Sequence, residues 1–166
     1  MPKNLKAYGT LKADILMECE DMYFVDRETI EKTLTFMEGQ LNFLYEHTSW
    51  ESKIEQLALE RSLHTIIESI IDVGNSMIDG FIMRDPGSYE DIIDILEDEK
   101  VIGKDVHADL VQVVKLRKHL VQEFTEVNHQ MCIDIFTSSE SALKAFAPAV
   151  RTYLEDELGP VSAFRR

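Results

Sequence analysis

Arg117 lies in the segment VVKLRKHLVQEF, residues 113–124, at a position where the surrounding apolar pattern predicts a leucine. Apolar residues recur there at steps of three and four, which is the spacing of one helix face. A guanidinium stays charged at accessible pH, so it is costly in a core unless it is paired or faces an anion. Three interpretations stay open: Arg117 reaches solvent, pairs with an acid of another helix, or lines an interface that admits a phosphate or a partner. The stripe that it interrupts consists of Val106, Leu110, Val113, Leu120, Phe124 and Val127.

The second predicted helix carries acids that could pair with Arg117. Polar residues repeat along this helix at steps of three and four, opposite its apolar stripe: Arg61, Thr65, Glu68, Asp72, Asn75 and Asp79. One interpretation is the solvated face of an amphipathic helix. The other is that Glu68 or Asp72 meets Arg117 across a subunit contact. Both stay open at the level of the sequence.

The composition indicates one compact, helical domain. The chain has 166 residues, 45% of them hydrophobic, with only 7 Gly and 4 Pro. The formal net charge of −14 argues against DNA binding or any broad grip on nucleic acid, because many phosphate contacts require clustered Lys and Arg. An RNA contact must therefore be local.

Metal, disulfide and membrane chemistry are not expected from the sequence. Cys19 and Cys132 lack the short spacing of a redox or metal pair, and the five histidines form no ligand pattern with carboxylates. No apolar run reaches the roughly 18 residues that span a bilayer, and the N-terminus lacks the order of a signal peptide. We expect a cytoplasmic protein with no metal and no cofactor.

The apolar pattern divides the chain into a short arm and a helical domain. Residues 1–21 are only weakly periodic, so we interpret them as an N-terminal arm that need not be native, because strong periodicity begins just after Met22. Residues 22–166 form the domain.

Five helices are predicted within that domain. The first follows the N-cap Asp26, and the second covers residues 54–81. Ser88 caps the third, with Asp91 as the acid of a capping box. The fourth follows Gly103 and continues to about residue 127, and the fifth covers about 132–158. No stretch predicts a strand, so the expected fold is all-α, an antiparallel bundle of four or five helices.

A long part of the chain resembles a known family. The residues that carry the likeness are YFVDRETIEKTL and IESIIDVGNSMIDGFIMRDPGSYEDIIDILEDEKVIGKDVHADLVQVVKLRKHLVQEFTEVN. They look like the HepT-like branch of the HEPN-domain proteins, and particularly its YutE-like members, over about residues 22–158. The resemblance implies a helical bundle that dimerises through its long helices and acts as a metal-independent ribonuclease toxin. It also implies a minimal nucleotidyltransferase as the cognate antitoxin.

The active motif of that family is Arg, four residues, His, one residue, Tyr. Here Arg117 is kept, but Gln122 stands at the histidine position and Phe124 at the tyrosine position. The resemblance implies that the histidine takes a proton from a ribose 2′-hydroxyl while the arginine steadies the phosphate. An amide cannot hold that proton, so we expect RNA cleavage to be weak or lost. Phe124 also lacks the hydroxyl that the antitoxin modifies in members with the tyrosine.

His119 is a poor substitute for the missing histidine. At about 100° per residue, positions 117 and 119 lie about 200° apart on a helix, so His119 points away from Arg117. Positions 117 and 122 lie about 140° apart, which suits a site at a helix end or between two subunits. A shifted site on His119 and Gln122, which share a face, is an alternative.

Two classes of function follow from these residues. The first is a HepT-like, toxin-derived protein that acts on RNA with weak, altered or lost nuclease activity. The second is a non-catalytic helical homodimer that binds a protein or nucleotide partner.

Overall fold

The computed structural model describes residues 25–159, so the predicted arm of residues 1–21 and Cys19 lie outside the described part. Within it the chain forms helices and no strand, which confirms the all-α prediction. None of these helices is long and apolar enough to cross a membrane. Residues 25–159 contain six helices: α1 (Arg27–Glu46), α2 (Lys53–Gly80), α3 (Tyr89–Asp98), α4 (Lys104–Val121), α5 (His129–Ser138) and α6 (Glu140–Leu158).

Helix α2 is the central element, and α1, α3, α4 and α5 all pack against it. Ser52 and Glu55 begin it with a reciprocal capping box, in which each side chain accepts from the backbone N–H of the other. Gly74 allows α3 to approach closely, because a Cβ there would lie 2.4 Å from Cγ2 of Ile92. The core is mainly apolar, with Ser62, Ser69 and Ser139 as buried polar residues among those described, and its largest fully buried side chain is Phe146 of α6.

Two predicted helix boundaries are wrong. Helix α4 ends at Val121 instead of continuing to about residue 127. Further turns would bury little, since Phe124 is exposed, and helical stability in proteins comes mainly from packing. The predicted fifth helix is two helices that meet at Ser139, just after the hydroxyl of Ser138 donates back to the carbonyl of Ile135.

The loop before α3 is held by a carboxylate clamp. Both Nη atoms of Arg84 donate to Asp91, at 2.8 and 2.6 Å, and the backbone N–H of Gly87 donates to the same carboxylate at 2.7 Å. Arg84 first, and then Gly87, lowers the pKa of Asp91 to about 2. Ser88 caps α3 as predicted, but the Asp91 side chain serves the clamp instead of completing a capping box. The clamp fixes the first turn of α3, which begins with Tyr89.

The end of α2 stores backbone strain at Ile82. Ile82 has a φ of 53° and follows the C-cap Phe81, while the N–H of Met83 donates to the carbonyl of Ile78 in a Schellman arrangement. A β-branched residue is disfavoured in this left-handed region, and 72% of Ile82 is exposed. The side chain therefore gains little burial in return for the strain.

Ile82→Gly is expected to raise the free energy of unfolding by about 0.5–1 kcal/mol, because glycine adopts the left-handed conformation without steric cost. Urea denaturation measures the change. Ile82→Ala is the matched control, since it shortens the side chain but keeps an L residue at positive φ, and it should gain less. An unchanged or lower stability for Ile82→Gly would show that the turn is not strained.

Candidate functional site

Arg117 lies one turn before the end of α4 and forms an ion pair within its own chain. Its Nε donates to Oε1 of Glu68 on α2 at 2.6 Å, and 21% of the arginine side chain is exposed. Of the alternatives left open by the sequence, the structure shows pairing with an acid of another helix, and Glu68 reaches Arg117 within one chain without a subunit contact. Asp72 lies one turn further along α2, is exposed and does not reach Arg117.

The buried face of α4 is rotated from the predicted stripe. Leu116 is 1% exposed and continues the core after Val113, whereas Arg117 lies at the edge of the buried face. Beyond it, Leu120 is only partly buried, and Phe124 is 66% exposed in the turn after the helix. Arg117 therefore does not replace a core leucine. It occupies the boundary between the core and solvent, where a charged group can be paired without complete desolvation.

Two neighbours hold the guanidinium of Arg117. Glu68 accepts from Nε, and the ring of Tyr89 lies beneath the group, with 4.3 Å from Cζ to the ring centroid. Within residues 25–159, neither Nη1 nor Nη2 of Arg117 donates a hydrogen bond. The paired N–H groups at this end of the side chain have the fork geometry that binds a phosphate or carboxylate through two hydrogen bonds.

Arg117 and Gln122 line the same shallow cleft at the end of α4, with a volume of about 60 Å³. Gln122 is the C-cap residue, and its N–H donates to the carbonyl of Lys118 at 2.9 Å. The spacing of Arg117 and Gln122 predicted a site at a helix end or between subunits, and Gln122 stands at a helix end. The other residues that line the cleft are Tyr89 and Glu90 at the start of α3, and Val114, Lys115 and Lys118 in the later turns of α4.

Comparison with known proteins identifies the family. The profile of the family described as "Ribonuclease HepT-like" matches residues 27–150, which is most of the chain. The chain belongs to the HepT-like family. YutE of Bacillus subtilis (strain 168), named as a candidate RNase, is 51% identical over 144 residues, which cover 87% of this chain and 100% of YutE.

Solved structures support the same grouping. The structure of YutE, described as a cytosolic protein of unknown function, matches with a TM-score of 0.82 and covers 86% of this chain and 99% of its own. A tri-AMPylated HEPN toxin of Shewanella oneidensis, solved in complex with an MNT antitoxin, matches at 17% identity with a TM-score of 0.63, over 75% and 95% of the two chains. A second toxin–antitoxin structure, solved with AMP-PNP, matches at 17% identity and a TM-score of 0.63, over 73% and 96%. These two distant likenesses concern the fold alone.

Arg117, Gln122 and Phe124, the three positions that the family resemblance assigns to the motif, lie near the end of α4 and just after it. His119, the alternative histidine, lies outside the residues that line the cleft, and its Nδ1 is 2.5 Å from Oε2 of Glu123. Lys118 first, and His119 to a smaller extent, lowers the pKa of Glu123. His119 therefore pairs with Glu123 and does not face the cleft, as its spacing from Arg117 predicts.

Two residues near Arg117 escaped the sequence analysis. Tyr89, from the segment PGSYEDI, packs its ring against the guanidinium. His64 lies one turn before Glu68 on α2, with Nε2 3.4 Å from Oε1 of Glu68. The four-residue spacing of His64 and Glu68 was a visible signal for the second contact, whereas nothing in the sequence placed Tyr89 against α4.

Cys132 does not provide a nucleophile near this HepT-like site. The side chain is buried, and burial first, with the charge of Glu60 second, raises the pKa of its thiol to about 11. The thiol stays protonated at neutral pH, and thiolate chemistry requires the opposite. The chemistry available at the end of α4 is therefore anion binding by Arg117 and hydrogen bonding by Gln122.

Proposed function

We propose that this HepT-like chain binds RNA through Arg117 and cleaves it weakly or not at all. One observation carries the proposal: neither Nη atom of Arg117 donates a hydrogen bond within residues 25–159, and Arg117 lines one cleft with the residue at the family's histidine position. A phosphodiester can accept two charge-assisted hydrogen bonds from such a guanidinium. Glu68 and Tyr89 hold the group in place, which lowers the entropy lost on binding.

Gln122 supports the reduced activity. Its amide can donate to or accept from a ribose hydroxyl, but it cannot take the proton whose removal makes the 2′-oxygen a nucleophile. Loss of general-base help lowers a rate by roughly 10²–10⁴-fold. Arg117 can still bind and orient the RNA without this base. Gln122 should therefore lower the rate of cleavage without lowering the affinity for RNA.

The partners follow from the family and are part of the proposal. We infer a homodimer, in keeping with the exposed apolar side chains of Phe36, Phe43, Ile54 and Leu57 on α1 and α2, which a second subunit could cover. A minimal nucleotidyltransferase antitoxin is the second proposed partner. The HEPN toxin of S. oneidensis, which shares this fold, is found with an MNT antitoxin. A cytoplasmic location agrees with the description of YutE as cytosolic.

The second candidate function is a non-catalytic homodimer that binds a protein or nucleotide partner. Phe124 favours it, because its ring is 66% exposed beside the altered motif and offers an apolar contact where family members with the full motif have a hydroxyl. The two functions differ in whether RNA binds the Arg117 cleft, which a binding measurement decides.

Arg117→Ala is expected to weaken binding of a single-stranded RNA oligonucleotide by about 10- to 100-fold, since hydrogen bonds to charged groups contribute about 1.5–3 kcal/mol. The slope of log affinity against log salt should also fall by about 0.7, the value for one phosphate contact on a single strand. Fluorescence anisotropy over a salt series measures both quantities.

The matched control is Lys32→Ala, which removes one positive charge from the exposed face of α1. It should leave affinity within about twofold, because Lys32 is not among the residues that line the Arg117 cleft and an exposed charge outside a contact is screened by salt. If Arg117→Ala binds RNA as tightly as the wild type, the cleft is not an RNA site and the second candidate function stands.

A further inference from the structure

One carboxylate oxygen of Glu68 contacts both the guanidinium of Arg117 and the imidazole of His64. Nε of Arg117 lies 2.6 Å from Oε1 of Glu68, and Nε2 of His64 lies 3.4 Å from the same Oε1. These two distances place the arginine and histidine nitrogens no more than about 6 Å apart. An imidazole therefore lies on the Glu68 side of Arg117, next to the residues that line the cleft and not among them, although the motif position itself holds Gln122.

No other histidine is brought to Arg117 in this way. All five histidines lie within the described residues, and each contacts a carboxylate. Only the carboxylate that His64 contacts also binds Arg117. The other pairs are His47 with Glu55, His107 with Asp94, His119 with Glu123 and His129 with Glu60.

We propose that His64 is the general base for the residual RNA cleavage of this chain, in place of the histidine that the motif lacks. The proposal rests on the proposed function, because it requires a phosphodiester at Arg117. His64 takes the proton of a ribose 2′-hydroxyl, the 2′-oxygen forms a bond to phosphorus, and the bond from phosphorus to the 5′-oxygen breaks. The departing 5′-oxygen takes a proton from solvent, and the imidazolium of His64 returns its proton to solvent. The products are a 2′,3′-cyclic phosphate and a 5′-hydroxyl.

The dimensions of the site suit this step. One hydrogen bond from Arg117 to a phosphate oxygen and one from the 2′-hydroxyl to His64 each span about 2.7–3.0 Å. The reacting 2′-oxygen is adjacent to that phosphate, and Nε of Arg117 and Nε2 of His64 lie at most about 6 Å apart, so the two side chains are close enough to reach the same nucleotide. The His64 side chain is 32% exposed, which leaves the ring open to a substrate. Oε1 of Glu68 lies 3.4 Å from Nε2 of His64, close enough for its charge to stabilise the imidazolium that forms when His64 holds the proton.

The experiment measures cleavage of a single-stranded RNA oligonucleotide by the full chain and by His64→Ala, His64→Gln and His47→Ala. His47→Ala is the matched control, since His47 lies 3.4 Å from a glutamate and is similarly exposed, at 36%, but that glutamate does not bind Arg117. His64→Gln keeps a side chain that can hydrogen-bond to Glu68 but cannot hold the proton. Arg117→Ala, purified in the same way, reveals any contaminating nuclease.

The expected result is a loss of roughly 10²-fold or more in kcat for both His64 variants, with RNA affinity within about threefold of the wild type. Free imidazole added to His64→Ala should restore part of the rate, which a merely structural histidine would not show. His47→Ala should cleave at the wild-type rate.

Wild-type cleavage that His64→Ala and His64→Gln leave unchanged would overturn the proposal, as would a wild type with no Arg117-dependent cleavage. In both cases the proposed function survives if RNA affinity still depends on Arg117. Equal RNA affinity of the wild type and Arg117→Ala would instead remove the proposed function itself.

Discussion

Gln122→His, made together with His64→Ala, is expected to raise the rate of RNA cleavage by roughly 10²–10⁴-fold over His64→Ala alone, the size of a general-base contribution. The substitution places an imidazole at the C-cap of α4, in the cleft that Arg117 already lines. No rearrangement of Arg117 is required, because Glu68 and Tyr89 hold its guanidinium independently of residue 122. RNA affinity should change little, since the phosphate contact is the same in both chains.

Denaturing gel electrophoresis of a labelled RNA under single-turnover conditions measures this gain. Gln122→Asn is the control for a change of side chain without a base, and it should not gain activity. Adding Arg117→Ala to Gln122→His should remove the new cleavage, because the base then acts on a substrate that is no longer positioned. If Gln122→His gains nothing while RNA still binds, a missing base at position 122 is not what limits the reaction.

The sequence predicted the parts of this site that depend on position along one helix. The spacing of Arg117 and Gln122 indicated a site at a helix end or between subunits, and Gln122 caps α4. Helical periodicity also placed His119 away from Arg117. These positions depend only on the geometry of a single helix, and the structure has Gln122 at the end of α4 and His119 outside the lining of the cleft.

The parts that depend on how helices meet could not be read from the sequence. Glu68 and Asp72 were equivalent candidates on one face of α2, and only the relative placement of α2 and α4 brings Glu68 to Arg117 within the same chain. Tyr89 reaches Arg117 because the Arg84–Asp91 clamp fixes the loop that leads into α3. Periodicity describes the face of an element and does not specify which neighbour covers that face.

The buried face of α4 is rotated from the predicted stripe, and this changes which of its side chains stabilise the fold. Steps of three and four allowed the stripe to continue from Val113 either through Leu116 or through Arg117 and Leu120, since both routes keep to one side of a helix. In the structure Leu116 is buried in the core, whereas Arg117 and Leu120 lie at its edge. Arg117 is therefore available to a ligand because Leu116, beside it in sequence, anchors α4 in the core.

Leu116→Ala is expected to lower the free energy of unfolding by about 2–5 kcal/mol, the cost of a cavity at a fully buried leucine. Phe124→Ala removes a larger side chain but should change stability by no more than about 0.5 kcal/mol, because the ring is 66% exposed after the helix has ended. The original apolar stripe predicts the opposite order, with Phe124 in the core and Leu116 outside it. The pair therefore tests the rotation of the helix that presents Arg117.

Urea denaturation followed by circular dichroism measures both variants at one protein concentration. Leu120→Ala is the intermediate control, since Leu120 is partly buried on the edge of the same helix, and its loss should fall between the other two. A loss at Phe124 as large as that at Leu116 would mean that the ring is covered in solution and that the end of α4 lies in an interface. A small loss at Leu116 would contradict the rotation itself, and with it the position of Arg117 between the core and the cleft.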